Sequence, residues 1–211
     1  MGVESNSIEE MAPRERIVRA ALRLFAEHGF DGVTLRTIAA EVGLHNSTLF
    51  HYFPSKSEIA TAVFEEVLER VIGKLDRLDP ETPTLERFIG VFVEVADYFA
   101  AAPEDARFLL RAIIDGKAFV YAYRESVDFD DADNPLVRLF TILWGWLAAA
   151  RKAGVIRPVR IYQTTRNLIG ILVFEPIYGS NDFGDPERLA GRRRELTEFV
   201  RGALAPLEDG M

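Results

Sequence analysis

The 211-residue chain has no cysteine, which removes disulfides, thiolate zinc sites and cysteine nucleophiles together. It also has little histidine: His28, His45 and His51 stand at no metal-ligand spacing, so no metal is expected. Long hydrophobic runs are missing as well. The longest, residues 139–150, lies between Arg138 and Arg151, well short of the roughly 20 residues that a membrane-spanning helix needs, and reads as a core helix. The first dozen residues hold Glu4, Glu9 and Glu10 with neither a cationic start nor an apolar stretch, so no secretory signal is visible and a cytoplasmic protein is expected. Also absent are G-x-S-x-G, H-E-x-x-H and a glycine fingerprint between a strand and a helix; catalytic residues and cofactors are therefore not expected. Two near-misses fall on composition. Asp128, Asp130, Asp131 and Asp133 suggest a calcium loop, but its fifth and sixth positions are Ala132 and Asp133 where an oxygen ligand and glycine are required, so an acidic solvated loop is expected. Residues 179–184 imitate half of a phosphate loop, but Asp185 stands where its lysine should be, which leaves a turn.

What is present describes a folded chain. Hydrophobic residues make up 48% and charged residues 27%, enough for one ample core or two small ones. The net charge of −8 opposes nucleic-acid binding for the chain as a whole, but it is unevenly placed. Residues 13–57 carry Arg14, Arg16, Arg19, Arg23, Arg36 and Lys56 against Glu15, Glu27, Asp31 and Glu41, a net +2 that leaves −10 for the rest. A mildly basic segment on an acidic body is the asymmetry of a DNA reader joined to something else.

Helical periodicity runs throughout. After Pro13, the residues Ile17, Ala20, Ala21, Leu24 and Phe25 share a face, and Gly29 with Phe30 supplies a stop. Thr34 caps a short second helix with Leu35, Ile38, Ala39 and Val42 inward, closed by Gly43 and Leu44. A third starts at His45 or Asn46, buries Leu49 and Phe53 and stops at Pro54. Ser55 to Glu58 then form an S-x-x-E capping box ahead of Ile59, Val63 and Leu68. Residues 78–83 read as a linker, and later helix starts are expected at Thr82 with Pro83, Pro103, Asn134 with Pro135, and Asp185 with Pro186. A short strand around residues 119–123 is the alternative to an all-helical chain. The expected organisation is a tail (1–12), a three-helix DNA-binding domain (13–57), a connecting helix (58–78) and a larger helical domain (79–211).

The second and third helices have the spacing of a helix-turn-helix, in which the first braces the second for the major groove. Asn46, Ser47, Phe50 and His51 share the face opposite Leu49 and Phe53. Lys56, in the first turn of the next helix, is a cation at the positive end of a helix dipole and needs compensation. A DNA phosphate would meet free N–H groups, Lys56 and the Tyr52 hydroxyl together there.

Residues 17–59, including AALRLFAEHGFDGVTLRTIAAEVGL and HNSTLFHYFPSKSEI, closely resemble the N-terminal DNA-binding domain of the TetR family of bacterial transcription regulators. The stretch is about a fifth of the chain, and the glycine stops, the Thr34 cap, Thr48-Leu49, Tyr52-Phe53 and Ser55-Lys56 occur in the family's order. The resemblance implies a homodimer on a palindromic operator, with a helical C-terminal domain that holds an inducer. It also implies phosphate contacts from Thr34, Tyr52 and Lys56, and base contacts from Arg36, Thr37, Asn46, Ser47 and Phe50, with His45 and His51 on the same DNA face. The chain departs from the pattern at His45, where a capping serine is usual, at Ser47, where glycine is common, and at Phe50, where tyrosine is common. Phe50 can meet a thymine methyl but cannot hydrogen-bond.

Downstream, Leu168, Ile169, Leu172 and Val173 lie in a segment apolar nearly all round, which must bury both sides. Packed with Leu189, Leu196, Phe199 and Val200, it would form a four-helix dimer interface. Within that pattern, Arg192 to Arg194 flank the apolar face. The aromatic set Tyr98, Phe99, Phe108, Phe119, Tyr121, Tyr123, Trp144 and Trp146, with Arg111 and Asp115, is either core or the lining of a pocket for an apolar or aromatic effector. The reading is a ligand-responsive, homodimeric transcription repressor on double-stranded operator DNA, with no membrane partner. An activator or architectural DNA binder is the nearest rival, and a helical enzyme with an incidental helix-turn-helix the distant one.

Overall fold

The computed structural model describes residues 12–114, 123, 125–178 and 186–206. Among them are nine helices and no strand: α1 (Pro13–His28), α2 (Leu35–Glu41), α3 (Asn46–Tyr52), α4 (Lys56–Leu75), α5 (Leu85–Ala101), α6 (Pro103–Ile114), α7 (Pro135–Lys152), α8 (Ile161–Tyr178) and α9 (Pro186–Leu204). The all-helical expectation holds. None of these helices is long and apolar enough to cross a membrane. The chain forms two compact units. One takes the described residues up to Val67 and those of 107–127, the other Leu68–Ala106 and the described residues from Asp128 onward.

In the first unit, α1 buries Ile17, Ala20, Ala21 and Phe25 on one stripe and ends at Gly29, whose φ of 73 breaks the helix. The Thr34 side chain accepts the Thr37 N–H at 3.1 Å and so caps α2, as its position indicated. At the other end of α2, Gly43 N–H donates to Ala40 O at 3.2 Å and Leu44 N–H to Ala39 O at 2.8 Å. This paired closure is a Schellman motif, and it needs the left-handed φ of +68 that Gly43 adopts. Arg16 adds a third bond, from Nη2 to Val42 O at 2.9 Å, tying α1 to the same end of α2. Beneath α3, Leu49 and Phe53 are buried, and Ser55 caps α4 by accepting the Glu58 N–H at 3.2 Å.

In the second unit, α5 packs against α8 and α9, and α8 also against α7. One expected start is displaced. Thr84, not Thr82 with Pro83, caps α5 by accepting the Arg87 N–H; Thr82 instead donates to Asp79 Oδ2 at 2.6 Å, and Asp79 also accepts the Glu81 N–H. The aspartate draws the threonine into an Asx-type turn that holds off the helix for two residues. The starts at Pro103 and Pro135 occur as expected, Asn134 capping the latter, and α9 begins at Pro186. Asp185 lies outside the described residues. Asp105, 1% exposed, is the unit's buried carboxylate; Arg70 Nη1 reaches it at 2.8 Å and the Tyr98 hydroxyl donates to it. Burial, then this hydrogen bond, raises the Tyr98 phenol above its usual range, so it stays a donor. The arrangement joins α4, α5 and α6 through a carboxylate that would be costly if left alone.

Two glycines separate backbone strain from side-chain space. Gly43 has open space where a Cβ would stand but a left-handed φ, whereas Gly90 is exposed within α5 with open space and no such φ. Gly43→Ala should lower stability by about 1 kcal/mol, and Gly90→Ala should raise it by roughly 0.5 to 1 kcal/mol, read as opposite shifts of the urea midpoint.

Candidate DNA-reading interface

The reading helix is a short segment whose two faces have different tasks. Leu49 is fully buried and Phe53 nearly so, with the Arg14 guanidinium 4.9 Å from the centre of the Phe53 ring. These contacts fix the inner face. On the outer face Asn46, Ser47, Phe50 and His51 are all exposed, with Phe50 at 48%. A phenylalanine half in water is unfavourable unless something apolar covers it, and a thymine methyl has that character. His45 stands at the N-cap and makes no side-chain cap bond, so α3 begins at Asn46 with its first N–H groups uncapped by that side chain.

Around the reading helix, Arg36 is exposed at the start of α2, and Tyr52 is 39% exposed at the end of α3. The Thr34 and Thr37 hydroxyls lie 2.8 Å apart, so each is oriented by the other as well as by the cap. Lys56 differs from the expectation of a cation compensated from outside. Its ammonium donates to Phe30 O at 2.8 Å and Val33 O at 3.0 Å, and lies 4.1 Å from the centre of the Phe30 ring. The compensation comes from the loop after α1, whose carbonyls the lysine gathers at the start of α4. Sequence reasoning missed this clip and the Arg16 bond to Val42, since they join residues 23 to 26 apart with no local motif.

The aromatic set does not gather in one place. Phe108 and Tyr123 belong to the first unit: Phe108 meets Phe25 at 6.2 Å, and Tyr123 packs edge-on against Phe64 at 5.0 Å with its hydroxyl 3.1 Å from Glu65. Arg111, also in the first unit, donates to Glu27 O at 3.1 Å. Tyr98, Phe99, Trp144 and Trp146 belong to the second. There Phe99 is buried beside Tyr98, and Trp146 is fully buried against Phe88. Trp144 is 39% exposed, with Phe140 and Tyr162 beside it. Asp115, Phe119 and Tyr121 lie outside the described residues. Alternating roles along α7 explain the split, because residues 144 and 146 point about 200° apart on a helix.

The dimer candidates divide by depth. Leu168, Val173, Leu196 and Val200 are buried within the protomer, Ile169, Leu172 and Leu189 are half-buried, and Phe199 is 52% exposed. Phe174, one turn from Gly170, is also exposed, at 42%. In this unit Arg192 donates to Ala96 O at 3.2 Å and Arg193 to Asp97 at 3.1 Å, so both brace α9 against α5.

Known proteins resemble this arrangement. The sequence profile of the bacterial regulatory proteins of the tetR family matches residues 17–63. The HTH-type transcriptional repressor KstR2 of Mycolicibacterium smegmatis is 31% identical over 81 residues, 38% of this chain and 40% of that protein. AcnR of Corynebacterium diphtheriae, an HTH-type transcriptional repressor, is 37% identical over 71 residues, 34% of this chain and 37% of that protein. The chain thus spans about two fifths of these relatives' length. A crystal structure of a tetR family transcription regulator from Shewanella sp. PV-4 superposes with a TM-score of 0.72 at 20% identity, covering 93% of this chain and 100% of that one. FadR of Bacillus subtilis, solved in complex with stearoyl-CoA, superposes with a TM-score of 0.68 at 19% identity, covering 87% of this chain and 95% of that one. At these identities the superpositions establish the fold. The likeness to the tetR family of bacterial regulatory proteins is thus carried by the helix-turn-helix segment, residues 17–63, within a chain that shares the fold of the superposed structures.

Proposed function

We propose that the protein is a homodimeric transcription repressor that binds a palindromic operator through α2 and α3 and is released by a small, largely apolar or aromatic ligand. The observation that carries this reading is the division of α3 into a buried seam, Leu49 and Phe53, and an exposed face, Asn46, Ser47, Phe50 and His51. Asn46 is suited to an adenine edge, Ser47 to any edge and Phe50 to a thymine methyl. Arg36 and Thr37 on α2 are further base contacts, with His45 at the margin. Thr34, Tyr52 and Lys56 contact phosphates, Lys56 with an ammonium already anchored on one side. Repression is supported by the likeness to the repressors KstR2 and AcnR, and ligand control by the FadR complex.

The dimer uses the outward side of α8 and α9, where Ile169, Leu172, Phe174 and Phe199 leave apolar surface uncovered. A ligand releases DNA only if it prefers the dimer geometry that does not fit the operator, and the coupling is reciprocal.

Three measurements test this reading. Binding to DNA should weaken steeply with salt; on a randomised duplex pool, Asn46→Ala or Ser47→Ala should flatten preference at particular positions by roughly 1 to 3 kcal/mol, whereas Tyr52→Phe should weaken all sequences alike. Unchanged base preference in both reading-helix variants would contradict the docking. Lys56→Met keeps the stem but removes the ammonium, so it should lower the thermal stability of the ligand-free, DNA-free protein as well as its DNA affinity; a loss of affinity alone would leave the clip without energetic weight. In sedimentation equilibrium, Phe199→Glu should weaken the dimer by at least about tenfold, since a two-fold interface meets the change twice. A dimer of unchanged affinity would place the interface elsewhere.

A further inference from the structure

Two polar side chains in the core of the second unit are buried without a partner among the described residues. Trp146, fully buried, stacks on Phe88 of α5 at 4.4 Å, and its indole N–H meets no hydrogen-bond acceptor there. Thr165 on α8 is 2% exposed, and its hydroxyl is likewise unpartnered among the described residues. Both facts are unusual. A buried N–H or O–H left unpaired loses its hydration with nothing in return, and a helical threonine has an easy alternative in the carbonyl one turn back, which Thr165 does not use. The buried Asp105 of the same unit, by contrast, receives both Arg70 and Tyr98. The helices that carry the two groups pack together: α8 lies on α5 and on α7, and the Phe88–Trp146 stack joins α7 to α5.

We propose that Trp146 and Thr165 are the polar contacts for an effector that enters the core formed by α5, α7 and α8, and that this effector is a neutral, mainly apolar molecule carrying a carbonyl oxygen. The proposal rests on the ligand-responsive reading and narrows it. An indole N–H can only donate and a threonine hydroxyl donates readily, so the pair fits an acceptor oxygen. Neither group is charged, and the buried apolar side chains of α5 and α7, such as Phe88, Leu147 and Ala150, offer nothing to a carboxylate or phosphate stripped of water. The unpaired groups are then a binding feature whose cost falls on the ligand-free protein.

Acetophenone, ethylbenzene and benzoate are similar in size and present a neutral acceptor, no acceptor and an anion. Each is titrated into the ¹⁵N-labelled full-length protein, whose two tryptophans give two indole resonances, with that of Trp146 assigned through Trp146→Phe. Acetophenone should move the Trp146 indole proton downfield and bind at least about fivefold more tightly than the other two, and Thr165→Val should reduce that preference. Without ligand, Thr165→Val should leave the melting temperature unchanged or raise it by about 2 °C or more. A fall of several degrees would mean that the hydroxyl has a structural partner, and it would overturn the proposal. So would equal affinity for the three probes, or no binding of any at millimolar concentration. A compound that releases operator DNA yet leaves the Trp146 resonance unmoved would overturn this site while keeping the ligand-responsive reading; a protein that binds no DNA would overturn the wider reading itself.

Discussion

The direction in which α3 leaves α2 depends on one turn, and the rest of the reading surface depends on that direction. Two backbone bonds, Gly43 to Ala40 and Leu44 to Ala39, close the turn, and Arg16 from α1 holds its outer carbonyl at Val42. The turn sends Leu49 and Phe53 into the core, and a helix that buries those two positions must present Asn46, Ser47, Phe50 and His51 to water. The seven residues of α3 are too few to form a stable helix alone, so its order comes from the packing beneath it and not from its own propensity. Lys56 performs the corresponding task on the other side, fastening the loop after α1 to the start of α4.

The second unit treats its polar interior in two ways. Asp105 is enclosed and fully engaged by residues from α4 and α5, so its charge orders three helices. Trp146 and Thr165 are enclosed without engagement among the described residues. In a core otherwise packed with Phe88, Phe92, Val95, Phe99 and Leu147, that difference separates a structural polar group from one held in reserve for a bound molecule.

Local signals make much of the fold legible in the sequence. The Gly43 closure, the Thr34 and Ser55 caps, the prolines at 103 and 135, and the apolar faces of α1 to α4 are encoded within a few residues of where they act. Contacts between distant parts of the chain are not legible in this way. The spacing of Lys56 shows a cation at a helix start, but not that Phe30 and Val33 supply its acceptors. Even close by, a side-chain choice can be hidden: Thr82 with Pro83 reads as a cap, but its hydroxyl donates to Asp79 and Thr84 caps the helix instead. The aromatic residues form one set only by composition, and helical rotation sends Trp144 to the surface and Trp146 to the core. Thr165 carries no signal at all, since a threonine flanked by Gln163, Thr164, Arg166 and Asn167 reads as a solvated helix residue.

The absence of cysteine makes the central claim directly measurable, because Ser47→Cys introduces a unique thiol on the outer face of α3. With a duplex selected from a random pool, maleimide labelling at that position should slow by at least about tenfold, while labelling of Glu27→Cys, exposed on α1, should keep its rate. Equal labelling of Ser47→Cys with and without the bound duplex would contradict the placement of α3 against the bases.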